Sequence, residues 1–112
     1  MQILEKPVEK EELQQMAAKM FGNLVKAVVD TELEIVAIDG ELHSDLAELL
    51  TENGSAGKNL WGINIYLDAP DDWLEFDSVL NLKPHFGNRS RGVEDPMLRE
   101  KITKILKKFI RL

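Results

Sequence analysis

Asn88, Arg89, Ser90 and Arg91 stand between two glycines in the stretch GNRSRG, just ahead of Glu94, Asp95 and Pro96. Two guanidinium groups offer planar donor forks that match carboxylate or phosphate. Flanking glycines permit positive φ and close backbone approach, and a helix N-terminus downstream would add its own pull on an anion. Anion binding is therefore the first chemistry these residue types suggest. Glu94 and Asp95 stand where such an anion would sit, however. The competing reading is a charged latch, with Arg89 and Arg91 paired to these acids or to carboxylates of a neighbouring strand, and it is the one favoured here.

Asn64, Tyr66, Glu75, Asp77 and Asn81 form a second group, spaced to share one face of a hairpin around Gly62, whose missing side chain leaves a gap. Two carboxylates with an amide and a phenol could hold Mg²⁺ or act as acid and base. A polar face turned to water explains the same pattern and is preferred. Glu41, His43 and Asp45 make a third group. A metal needs three or four converging ligands, and the chain has only two histidines. A helix entrance capped by Ser44 or Asp45 is the better expectation, and neither a metal nor a cofactor is expected. His85, between Pro84 and Phe86, reads as a packing residue at a strand exit. The P-loop, dinucleotide-binding, zinc-protease, nucleophile-elbow and EF-hand motifs are all missing.

The elements that must position these residues follow from hydrophobic period. Leu13, Met16, Ala17, Met20 and Phe21 repeat as one helical stripe, stopped by Gly22 and Asn23. Residues 24–38 read as two β-rich runs joined by a four-residue loop near Asp30–Leu33, with Val25, Ala27 and Val29 and then Leu33, Ile35 and Ala37 in period two. Leu42, Leu46, Leu49 and Leu50 mark a short second helix. LWGINIYL (60–67) alternates, with Trp61, Ile63, Ile65 and Leu67 on one face, and LEFDSVLNLK (74–83) reads as its returning strand, with Glu75, Asp77, Asn81 and Lys83 outward. Asp95 and Pro96 fit N-cap and first position of a last helix with a buried stripe from Leu98 to Ile110. A short strand at 2–5 is an optional addition. The expected fold is α+β: a two-layer sandwich with an antiparallel sheet of about four strands in two hairpins, covered on one side by three helices.

Composition narrows the function classes. The 112 residues suit one domain, 1–112, and contain no cysteine, which removes thiol nucleophiles, thiolate metal sites and disulfides. The charged start and the lack of a long apolar run predict a cytoplasmic protein with no membrane partner. Net charge is −6, but residues 1–82 hold five lysines against seventeen carboxylates while residues 83–112 hold nine basic side chains against three acids. Such a split lets the two parts attract each other, within one chain or across a dimer, or marks an anionic partner. Lys101, Lys104, Lys107 and Lys108 stripe the last helix without interleaved aromatics, so nucleic acid is the weaker expectation.

VKAVVDTELEIVAIDGELHSD, LWGINIY and GNRSRGVEDP, in that order, resemble a family of short prokaryotic proteins known only as a domain of unknown function. The resemblance covers nearly the whole chain and implies a stand-alone cytoplasmic domain, with no activity, cofactor or catalytic residue to carry over. The leading expectation is a non-enzymatic binding or assembly protein, a homodimer using a hairpin edge. An anion binder using the GNRSRG loop comes second. A metal-dependent hydrolase using Glu75 and Asp77, with His43, comes third.

Overall fold

A computed structural model describes residues 1–112. In chain order the elements are β1 (Gln2–Ile3), α1 (Lys10–Lys19), β2 (Leu24–Asp30), β3 (Ile35–Ile38), α2 (His43–Glu52), β4 (Leu60–Tyr66), β5 (Leu74–Glu75) and α3 (Pro96–Phe109). The strands form one antiparallel sheet in the order β1-β3-β2-β4-β5. The α+β class and the antiparallel sheet are as expected, and the optional N-terminal strand is a fifth member.

Two helices, not three, cover the main face. Leu13, Met16 and Ala17 of α1 and Ile102, Ile105 and Leu106 of α3 share a core with Val25, Ala27, Val29, Val36, Ile38, Trp61, Ile63 and Ile65. Leu46 and Leu50 of α2 pack on the opposite face, against Val28, Ala37 and Leu60. Topology explains the correction. β1 and β2 run parallel to each other on either side of β3, and β3 and β4 do so on either side of β2. Both crossovers step in the same lateral direction, but from strands of opposite direction. Two connections of the same hand must then place α1 and α2 on opposite faces.

Local chemistry accounts for the boundaries. Met20 and Phe21, expected in the first helical stripe, fall past its end and are exposed, where Gly22 (φ 84°) donates its N–H back to the Ala17 carbonyl at 2.6 Å. The β2–β3 connection is a four-residue turn, Thr31–Glu34, organised by the buried Asp30. Its Oδ1 accepts the N–H groups of Glu32 (2.8 Å) and Leu33 (2.9 Å), and its Oδ2 accepts the Ser55 hydroxyl at 2.6 Å. Glu34 takes a left-handed φ of 56°, after which Val36 and Ile38, rather than Ile35 and Ala37, face the main core. Asp95 caps α3 by accepting the Met97 N–H at 2.9 Å, with Pro96 as the first helical residue.

Arg91–Asp77 (2.7 Å), Lys108–Glu34 (2.8 Å) and Arg111–Glu9 (2.8 Å) each join the basic C-terminal part to the acidic remainder. No helix is long and apolar enough to cross a membrane.

Candidate functional site

The second face of the sheet carries the polar residues. The returning strand expected over 74–83 ends after two residues, at Glu75. Ser78 then opens a 3-10 turn, Val79–Asn81, its hydroxyl accepting the Leu80 N–H at 3.1 Å. Asn81, expected to point to solvent, is instead fully buried. Its Oδ1 accepts the Gly62 N–H at 2.8 Å, and its Nδ2 donates to the Gly62 and Arg91 carbonyls, both at 2.9 Å. A side-chain amide thus does for β4 what a ladder partner would have done. Gly62 is required here, because a Cβ at that position would lie 2.6 Å from Ser78 Cβ and 3.1 Å from the His43 ring.

The GNRSRG loop is tied to this turn by Asn88. That residue is buried, and its Nδ2 donates to the carbonyls of Asn81 (2.7 Å), Gly92 (2.8 Å) and Ser90 (3.2 Å), while its Oδ1 accepts the Glu94 N–H at 2.9 Å. Gly87 uses its conformational freedom (φ 83°), and Lys83 and Asn88 exchange backbone hydrogen bonds across the turn. The Arg89 N–H donates to the Glu94 carboxylate at 2.6 Å, and the Gly92 N–H to the Ser90 hydroxyl at 3.2 Å. The Asn88 side chain and the backbone N–H groups of Gly87, Asn88, Arg89 and Gly92 are therefore already satisfied. Arg91 Nε donates to Asp77 Oδ1 at 2.7 Å, which ties the loop to the segment just after β5 and is one of the two arginine pairings in the latch reading. The Arg89 guanidinium is exposed and makes no ion pair.

Between the first turn of α2 and this segment lies a cleft of about 460 Å³. Leu42, Val79 and Leu80 form its lips, and His43, Ser44, Ser78 and Arg91 its polar part. Neither Ser44 nor Asp45 caps α2; the cap position is Leu42, which has no side-chain oxygen to offer. The N–H groups of His43 and Ser44 consequently make no hydrogen bond within the chain. His43 Nε2 lies 2.9 Å from the Ile63 carbonyl, which can only accept, so that nitrogen carries the proton. Burial lowers the His43 pKa, Lys26 and Arg91 add to this, and the carbonyl bond and Asp77 oppose it. The imidazole is neutral at pH 7, with Nδ1 left as an acceptor. Ser78 makes no hydrogen bond to it.

The hairpin group is divided. Asn64 Nδ2 (2.8 Å) and the Tyr66 hydroxyl (3.2 Å) both donate to Glu75 Oε1, whereas Asp77 turns to Arg91. Burial, with Glu75 adding to it, raises the Tyr66 pKa. Asn64 Oδ1 is buried without a partner. No three acidic or histidine side chains converge as metal ligands, so Glu41, His43 and Asp45 do not assemble into a site, nor do Glu75 and Asp77 with His43. His85 is exposed rather than packed. Asn81 was expected beside Gly62, but on an exposed face; the residue missed in the sequence is Ser78, and Gly62 inside an otherwise bulky strand is the signal that something approaches closely there.

No curated protein and no solved structure matches the chain. A family model covers residues 2–109, and the chain belongs to the family described as Protein of unknown function (DUF5674).

Proposed function

We propose that the protein is a non-enzymatic assembly module of the cytoplasm that forms a homodimer through the strip around the α2 cleft. The observation that carries this reading is a set of exposed apolar side chains at the cap of α2 and on the 79–86 segment. Leu42 (53% exposed), at the cap of α2, and Val79 (63%) line the α2 cleft, and Leu82 (45%) and Phe86 (66%) line a second hollow further along the 79–86 segment. Single exposed apolar residues are ordinary, but three within one short segment held rigidly, with Leu42 across the cleft from Val79, favour association. The segment is held by Asn81 and Asn88, so little ordering entropy opposes docking. Pairing through sheet edges is less favoured than the alternating sequence suggested, because β1 and β5 are both two residues long. Light scattering tests the reading: the mass should be twice that of the chain, and Val79→Asp with Phe86→Asp should return it to that of a monomer. A wild-type monomer at every concentration up to about millimolar affinity would contradict it.

A second reading has its own observation. The unpaired N–H groups of His43 and Ser44 and the Arg91 guanidinium line one cleft, and Arg91 uses only its Nε on Asp77. A carboxylate or phosphate could be held there. Titration with inorganic phosphate should then shift the amide resonances of His43 and Ser44, weaken with salt, and fail in Arg91→Gln. Unchanged resonances would remove it.

A further inference from the structure

We infer that a second cleft, on the far side of the sheet from the association strip, binds a small amphipathic organic anion: a carboxylate with a short apolar body. This cavity of about 450 Å³ opens between the start of α1, the end of α3 and the loop after β4. That volume is within the roughly 300–1,000 Å³ of small-molecule sites. Leu67, Pro70, Trp73 and Ile110 supply apolar wall, and Lys10 and Lys107 supply the charge.

The electrostatics point to an anion. The chain carries a net charge of −6, and yet both charged side chains of this cavity are lysines. Neither is in an ion pair, although Lys108 and Arg111, near Lys107 on the chain, are each paired to a carboxylate. Asp68, Asp71 and Asp72 flank Pro70 on the same loop, and none of the three lines the cavity. Two unneutralised ammonium groups beside a half-buried indole suit a ligand whose head is anionic and whose body is apolar. A purely inorganic anion would leave the wall unused, and a neutral hydrocarbon would leave the lysines unused.

Octanoate is the probe, with 1-octanol as its neutral counterpart, followed through the Trp73 indole N–H resonance of the full chain. Octanoate should shift that resonance saturably, with 1-octanol at least about tenfold weaker. Lys10→Gln with Lys107→Gln should weaken octanoate by about tenfold or more and leave the melting temperature unchanged, since both side chains are exposed. Trp73→Ala should abolish saturable binding measured by calorimetry. A Trp73 resonance that does not saturate, equal affinity for 1-octanol, or equal affinity of the double lysine variant would each overturn the inference.

Discussion

The two faces of the sheet are held by different physics. Beneath α1 and α3 lies a core of 19 buried apolar side chains, each worth roughly 1.5–3 kcal/mol for the larger ones. The opposite face has five such residues, two of them on α2 itself, and beyond them the cover is polar: Ser78, Asn81 and Asn88, all buried and hydrogen-bonded to backbone. Apolar burial tolerates exchange of one hydrocarbon for another. An amide network does not, because each lost partner strands a buried donor or acceptor. The apolar face therefore makes the domain fold, and the amide face fixes the shape of a surface.

The largest effect should come from Asn81→Leu, which keeps volume but strands Gly62 N–H and two carbonyls; a loss on the order of 3–5 kcal/mol is expected by urea unfolding. Ile105→Leu on the other face keeps volume too, and should cost less than about 1.5 kcal/mol. If the two variants are equally destabilised, the contrast between the faces fails. Gly62→Ala should cost about 1–3 kcal/mol by overpacking against Ser78, and Ser78→Gly should restore part of it.

His43 gives a smaller effect with a defined sign. Its pKa is held below the ordinary value of about 6.5 by burial. The folded state thus resists protonation, so the stability gained is complete above that value and lost as pH falls through the lower folded pKa. Wild type should lose more stability between neutral and acid pH than His43→Gln does; parallel losses would mean the imidazole is not held neutral. Arg91→Gln should be the mildest, at most about 1 kcal/mol, because the pair with Asp77 is half exposed.

Much of the fold was legible because it rests on period. The stripe of α3, the Asp95–Pro96 cap and the inward face of β4 are all written as alternations or spacings that burial must satisfy. The placement of α2 was not, since it depends on β4 pairing with β2, and no local pattern states which strands become neighbours. The polar face was misread for a related reason. Asn81 alternates with Leu80 and Leu82 as an outward strand residue would, and only the chain's return through Arg91 and Asn88 turns it inward. The pair between Arg91 and Asp77 was legible only as one of several, since Glu94 and Asp95 lie nearer to Arg91 along the chain and only the fold brings Asp77 to it.

Assembly through the amide-held face can be followed by amide resonances in a dilution series. It predicts that His43, Ser44 and the 79–86 segment shift together as concentration falls, while α1, α3 and the β1 and β5 edges stay fixed. A spectrum unchanged by dilution in a monomer, or shifts confined to the sheet edges, would contradict the claim that the amide-held face is the surface of assembly.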